Sequence, residues 1–432
     1  MRTVLSRRAF LKSSRRAIAA GSLLGIGKPL ATFAETGNSP TADGGVAVDY
    51  YDKLGVTKII NAAGTYTFLT ASIMPPEVRY AVSQAALSPV RLKDLEVAAG
   101  NYLAQRLQCE AALISAGAAS ALTLGMAACV TVANRPAAGD AILEEIPTGI
   151  DQFRNEVVVQ HAHRYEYDHA LLNCGIKFVE VRTMSDYQAA FGSKTVMAHF
   201  FNAAEGGEIG REDWIRVAHQ HGIPCMNDAA ADVPPISNLW NYTRMGFDLV
   251  CFSGGKGMRG PQNAGLLLGR KDLIAAATEN NSPNSARVGR GMKVAKEQIV
   301  GMVAAVDWFL AQTDEGMETK FRGRANVIAD SLKSIPSLSC EIFVPPVANH
   351  VPHLLIRYDQ QRVKIAPLEV AAALRNGTPS IELNPATGTR DASAGLPIDE
   401  HTIVVGVWML QDGEDKIVAG KLHSVLAGAV SA

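Results

Sequence analysis

Residues Phe247–Arg270 read FDLVCFSGGKGMRGPQNAGLLLGR. The apolar run Phe247–Phe252 has the length and composition of a buried strand, and Gly265–Leu268 begins a second such run. Between them stand Ser253, Gly254 and Gly255, a single lysine, Lys256, and a turn through Gly260 and Pro261. Glycines on both sides of the lysine remove Cβ bulk, so a flat ligand can lie close to the main chain. A lysine held at a strand end can form a Schiff base with a carbonyl compound, and burial lowers the pKa of its amine toward the working range. Taken alone, the stretch favours a surface turn that happens to carry a lysine. Its partners elsewhere in the chain decide the matter.

The first partner is Ala111–Val130, AALISAGAASALTLGMAACV. A short strand ends at Ser115, and a helix of small and apolar residues opens across Ala116–Ser120. Free N–H groups and the positive end of the helix dipole then meet at Gly117, Ala118 and Ala119, an arrangement suited to a phosphate. A second partner is Asp228, which closes the apolar segment Ile223–Asp228. A carboxylate there can face a ring nitrogen, although an aspartate after a strand is also a common helix N-cap. Asp232 is the competing residue, and the strand-end position favours Asp228.

Between Glu156 and Asp228, strands (157–160, 176–181, 196–201, 223–228) alternate with helices (166–173, 212–221). Such alternation predicts crossovers and a mostly parallel sheet buried on both faces. Ligands of such sheets bind beyond the carboxyl ends of the strands, where Ser115, Asn202, Asp228, Ser253 and Lys256 all fall.

The motif DxxxFSGGKxxxGPQxAG, from Asp248 to Gly265, resembles the cofactor-lysine loop of pyridoxal-phosphate (PLP) enzymes of the aspartate-aminotransferase fold (fold type I). The resemblance is to the selenocysteine synthase (L-seryl-tRNA(Sec) selenium transferase) and D-glucosaminate-6-phosphate ammonia-lyase group. Ile60–Gly64 is similar to that group's INAxG opening, Asp228–Pro235 to its DxAxxxPP segment, and Arg290–Gln298 to its RxMKVxKEE segment. The resemblance covers nearly all of the chain from Tyr50 onward. It implies pyridoxal 5'-phosphate bound to Lys256, the ring nitrogen on Asp228, and the phosphate on the Ser115–Ser120 turn with help from Ser253. It also implies a residue stacked on the ring, expected to be His163 in QHAHRYEYDHA. His161 and His163 form an HxH pair, but no third ligand has metal spacing, so no metal is expected. His199 is expected to meet a polar partner in or beside the core, and His219 and His221 to sit at a helix end.

Anionic substrate in this group is gathered by two basic positions. Arg290 keeps the first, whereas Lys293 replaces arginine at the second and forgoes bidentate recognition. Arg259 and Arg357 are further candidates for an anion contact, and Arg287 reads as a surface charge.

The remaining composition sets bounds. The chain has 432 residues, 47% hydrophobic and 19% charged, with a formal net charge of -1. These values describe a globular protein with a large core and no electrostatic footprint for nucleic acid. Six cysteines are scattered without CxxC or zinc spacing and read as small core residues. Ser6–Lys12, SRRAFLK, matches the twin-arginine export pattern, and the apolar stretch 17–27 behind it falls well short of the roughly 20 residues that span a bilayer. Expected boundaries are a signal peptide over 1–34, a linker over 35–49, a large PLP-binding domain over 50–295 and a small α+β domain over 296–432.

These readings predict a PLP-dependent lyase or transferase acting on a small amino acid or amino sugar acid, with α,β-elimination first. Transamination, racemisation and selenium transfer are the alternatives within the fold. Selenium transfer to tRNA is disfavoured by the charge balance and the export signal. A non-catalytic α/β protein that binds a phosphate ligand is the reading from a different class, but neither GxxxxGK[ST] nor GxGxxG occurs at Ser115. The expected partners are a small-molecule amine, the twin-arginine translocase and further copies of the chain as a homodimer or larger. The expected location is the periplasm, with no nucleic acid bound and no permanent membrane anchor.

Overall fold

The computed structural model describes residues 39–40 and 46–430, except 204–206 and 391–394. The twin-arginine segment lies outside the described residues. By internal contacts the chain divides at Lys58 into a short first unit and a second that runs from Ile59 onward. In the first unit a single helical turn, Tyr50–Leu54, is capped by the Asp49 carboxylate and ended by Gly55 in the left-handed conformation. No described helix is long and apolar enough to cross a membrane.

The second unit is built on a seven-stranded sheet. Its strands in chain order, after β1 (Ile59–Ala62), are β2 (Ala111–Ser115), β3 (Glu156–Gln160), β4 (Lys177–Val181), β5 (Thr195–Phe201), β6 (Cys225–Asp228), β7 (Leu249–Ser253) and β8 (Gly265–Gly269). Their spatial order is β2-β8-β7-β6-β5-β3-β4. From β4 to β7 all neighbours are parallel, and β8 runs antiparallel to both β7 and β2. The sequence predicts a mostly parallel sheet, and the turn at Gly260–Pro261 accounts for the one reversal. Because both faces are covered, the strands read as continuous apolar runs rather than alternating ones. One face packs on Leu103, Leu107, Trp214 and Phe309, and the other on the helix Ala118–Ala138. The six cysteines are all free.

Beyond Lys296 two long helices, Lys296–Leu310 and Asp314–Ser331, lead to an antiparallel sheet of β9 (Leu338–Phe343), β10 (His353–Tyr358) and β12 (Thr402–Gly406). The amphipathic pattern predicts the first of these helices from about Gly291, but it begins at Lys296, with the Gln298 side chain accepting from the Ala295 N–H. β11 (Ser380–Leu383) pairs in parallel with β1, so the INAxG segment at the start of this unit is packed with residues more than three hundred positions later. Local periodicity carries no information on such a pairing.

Candidate active site

The site forms where the carboxyl ends of β5, β6 and β7 meet the start of the helix Ala118–Ala138. A cavity of about 670 Å³ opens there, lined among others by Gly117, Ala118, Ala119, Tyr165, Phe201, Asp228, Asp232, Ser253 and Lys256. Five segments far apart in the chain therefore converge. The register explains part of this, since Phe201 stands opposite Asp228 and Asp228 opposite Cys251, which puts three strand ends level.

Lys256 follows β7 in a tight turn that glycine makes possible. A Cβ at Gly255 would lie 2.8 Å from Gln262 Cα, and one at Gly257 would lie 2.1 Å from the Val233 carbonyl oxygen. The lysine amine has no hydrogen-bond or ion-pair partner among the described residues. Burial pushes its pKa below the ordinary lysine value, against the opposing pull of Asp228 and Asp232. The neutral, nucleophilic amine is therefore reached at lower pH than in a free lysine.

Asp228 lies at the end of β6 and is 4% exposed. Its Oδ1 accepts from the Ala230 N–H at 3.0 Å and from the Cys251 thiol at 3.4 Å. Its Oδ2 accepts from the Tyr165 hydroxyl. The second carboxylate, Asp232, accepts through Oδ2 from Asn202 and from the Tyr242 hydroxyl, while Oδ1 has no partner among the described residues. Burial raises the Asp232 pKa to about 6, with the Asn202 bond opposing.

Opposite the lysine, Gly117 adopts φ 88°, a conformation that favours glycine, and no side chain caps the helix behind it. The first-turn N–H groups of that helix are thus free to face a ligand anion. Gly265 supports the turn from beneath, since a Cβ there would lie 2.5 Å from the Gly117 carbonyl carbon. This contact ties the last glycine of the lysine motif to the phosphate-type turn. Part of the remaining wall is Tyr66 and Thr67, on a loop shaped by Asn61, whose Oδ1 accepts from the Ala63 and Gly64 N–H groups at 3.0 Å each. That loop is pinned to the lysine turn by Ser72 Oγ, which donates to Gly255 O at 2.7 Å, and by Gln262 Nε2, which donates to Thr67 O at 3.0 Å.

Of the residues singled out from the sequence, Lys256, Asp228, Gly117, Ala118, Ala119 and Ser253 line the cavity. Several others do not. Ser115 is fully buried and its hydroxyl donates to Gly117 O at 2.9 Å, so it braces the turn instead of facing a ligand. His163 is buried behind the wall, where Nδ1 accepts from the Phe201 N–H at 3.2 Å and the ring meets Phe200 edge-on. Burial lowers its pKa to about 4, so it stays neutral. Tyr165, two positions on, is among the aromatic residues that do line the cavity, stacked on Phe201 with ring centroids 3.9 Å apart. A short 3-10 turn over His161–His163 rotates the chain between the two, and HRYEY offered three aromatic side chains among which spacing could not choose. Asn202 is also behind the wall, donating to the Tyr242 hydroxyl at 2.7 Å and to Asp232, and accepting from Arg211.

The expected anion contacts are likewise elsewhere. Arg290 and Lys293 are exposed, Arg357 pairs with Glu341 at 3.0 Å and donates to Pro397 O, and Arg259 lines a different cavity. Among the described residues lining the main cavity, Lys256 is the one lysine or arginine. His199 also departs from expectation, because neither ring nitrogen has a partner among the described residues and burial keeps it neutral. His219 is half exposed at its helix end and meets Asp248 at 2.8 Å, with the Cys225 thiol nearby. Arg270 already neutralises that aspartate at 3.0 Å, so the group reads as a structural ion-pair cluster.

Comparison with known proteins agrees with the fold. A D-glucosaminate-6-phosphate ammonia lyase of Salmonella typhimurium is 26% identical over 339 residues, 76% of this chain and 87% of the relative. A 5'-C-glycyluridine monooxygenase-decarboxylase of a Streptomyces species is 28% identical over 348 residues, 77% of this chain and 83% of the relative. A solved D-glucosaminate-6-phosphate ammonia-lyase superposes with a TM-score of 0.73 at 24% identity, covering 88% of this chain and 99% of its own, which places the chain on the α/β architecture of fold type I PLP enzymes. The sequence model described as L-seryl-tRNA selenium transferase matches residues 59–317, a span that contains β1, the Gly117 turn, Asp228, Lys256 and Arg290. The chain therefore belongs to the L-seryl-tRNA selenium transferase family, a family of enzymes.

Proposed function

We propose that this enzyme binds pyridoxal 5'-phosphate covalently through Lys256 and catalyses α,β-elimination, of the ammonia-lyase type, on a small amino acid or amino sugar acid. One observation carries the reading: a half-buried lysine with a depressed pKa, a strand-end carboxylate and an uncapped helix N-terminus share the walls of a single cavity. The residues fit the cofactor, because Gly117–Ala119 present N–H groups to a phosphate, Asp228 can hold a ring nitrogen protonated, and Lys256 can bond to the aldehyde carbon. When bound, the cofactor supplies a ring that accepts the electron pair released at the amine-bearing carbon. The Lys256 amine, when free, would take the α proton as general base. Asp228 keeps negative charge next to the ring nitrogen, with Oδ1 held by the Ala230 N–H so that its orientation is set before substrate arrives. Tyr165, Tyr66 and Phe201 line the cavity with aromatic surface and would limit the water within it.

Elimination is favoured over the named selenium transfer of the family because the chain has a formal net charge of -1, without the overall basic excess that attracts tRNA. Transamination is the second reading, since the same lysine could return the proton to the cofactor carbon. We further propose export through the twin-arginine translocase to the periplasm, without a lasting membrane anchor, and assembly as a homodimer or larger. Assembly offers a source for the anion-binding cations absent from the described lining, with Arg290 and Lys293 the first residues to test.

The deciding experiment is reduction of purified yellow protein with borohydride. Wild type should retain a covalent adduct on the peptide containing Lys256, and Lys256→Ala should lose both colour and adduct while turnover drops by at least about a thousandfold. Equal labelling of the two proteins would refute the assignment. Product analysis with candidate amines then separates the readings, since free ammonia with a keto acid marks elimination and conversion of the cofactor to its amine form marks transamination. Fractionation of the source cell and sedimentation of the purified protein test location and assembly.

A further inference from the structure

A second cavity, of about 100 Å³, lies on the other side of the lysine loop and shares no lining residue with the first. Arg259 forms one wall. Three positions beyond Lys256, it has φ 54°, a left-handed conformation that non-glycine residues adopt only rarely, and its N–H is fixed to Lys256 O at 3.0 Å. The opposite wall is the helix Asp314–Ser331, which contributes Lys320 and Arg324, and Trp408 closes the end. The lining contains three cations and no carboxylate. Asp412, 87% exposed, neutralises Lys320 at 3.2 Å and Arg324 at 3.1 Å from outside. Arg259 forms no such ion pair, Asp412 acting on it only through its charge at longer range, and its Nε and Nη2 are buried without a hydrogen-bond partner among the described residues.

An arrangement of this kind is costly as it stands. A buried charged donor left unpaired loses its hydration without recompense, and two guanidiniums in one small cavity repel. The pKa of Arg259 is indeed lowered, first by burial and then by Arg324. A tetrahedral oxyanion would reverse each of these terms, because guanidinium groups bind phosphate-type oxygens in fork geometry and the low dielectric strengthens the attraction. The cavity has room for one such anion.

We propose that Arg259, Arg324 and Lys320 form an anion site for a phosphate or the phosphoryl group of a metabolite, and that its occupancy clamps the cap helix Asp314–Ser331 to the lysine loop. Because Arg259 hangs on the turn that positions Lys256, the clamp couples the anion to the order of that turn. The proposal does not depend on the identity of the reaction.

Inorganic phosphate is titrated into the protein as purified, saturated with pyridoxal phosphate so that the Gly117 turn is not available to it, in an anion-poor buffer. The expected result is a saturable rise in Tm and a single class of sites by calorimetry. Arg259→Gln should abolish the response, and Lys320→Gln, which changes a half-exposed side chain and spares the core, should weaken binding on the order of tenfold. A response of equal size in wild type and in both variants, each shown folded by circular dichroism, would overturn the site, as would complete absence of a response in wild type. Glycerol phosphate distinguishes the sources: displacement of inorganic phosphate points to a phosphorylated metabolite, and failure to displace it points to the free anion, each consistent with the site.

Discussion

The rim of strand ends and the basic loops beyond it make opposite use of their sequence. At the rim, Asp228, Ser253, Lys256 and the Gly117 turn, spread over some 140 positions, meet at one cavity. Beyond the rim, Arg290 and Lys293 are exposed in a loop, Arg357 on strand β10 is engaged by Glu341, and Arg259 turns to a separate cavity. The rim residues are short or are held by backbone at the ends of strands, so their position follows from the sheet itself. The loop cations are long, and what each reaches depends on neighbours contributed by other elements.

The sharpest way to break this contrast is Asp228→Asn. If the rim is the chemical end, the variant should still take up cofactor while turnover falls by about 10²–10³, as for loss of an electrostatic stabiliser. Steady-state kinetics with unaltered colour would show it, and near-normal turnover would contradict the role of the strand end.

Asp232 gives the next largest effect. Its pKa rises from 3.8 to about 6 on folding, so the folded state binds its proton more tightly than the unfolded chain does. The associated stability is fully present below pH 3.8 and is lost as pH rises to about 6, on the order of 3 kcal/mol in all. Asp232→Asn should remove this fall, so that denaturation of cofactor-free wild type and variant diverges progressively from about pH 4 to pH 6 and the variant is the more stable at neutral pH. Parallel curves would mean that the carboxylate is well compensated.

A smaller effect attaches to Tyr165. In the free protein its hydroxyl occupies Asp228 Oδ2, the acceptor a ring nitrogen would need. Tyr165→Phe removes one hydrogen bond, worth about 1 kcal/mol, from the cofactor-free state alone, so pyridoxal phosphate should bind about fivefold more tightly by fluorescence titration. Weaker binding would instead assign the hydroxyl a direct bond to the cofactor. Least is expected of Arg290→Ala, which should leave Tm unchanged to within about 0.5 kcal/mol of stability. A raised KM at unchanged Tm would place this arginine at the cavity of another copy and narrow the difference between the two regions.

Much of the fold was legible in advance for the same reason that the rim was. Continuous apolar runs between helical segments specify a parallel sheet, and the ends of those runs specify where ligands gather. Boundaries moved by one or two residues in most strands, and by five at the helix that starts at Lys296, because its first turn depends on the Gln298 side chain rather than on periodicity. The exchange of His163 for Tyr165 at the cavity was not legible, since the 3-10 turn between them sets which ring faces inward.

The sequence by itself determined the family, the strand ends, and the identity of the lysine and aspartate, because alternation of elements and the need for glycine at tight backbone approaches are local properties. Only the tertiary structure decided that β1 pairs with β11, that Gly265 underlies the Gly117 turn, that Tyr165 holds Asp228, and that Arg259 faces Arg324 across a cavity of its own. Those facts depend on register and packing between segments far apart in the chain, and a side chain's reach has no meaning until its neighbours are in place.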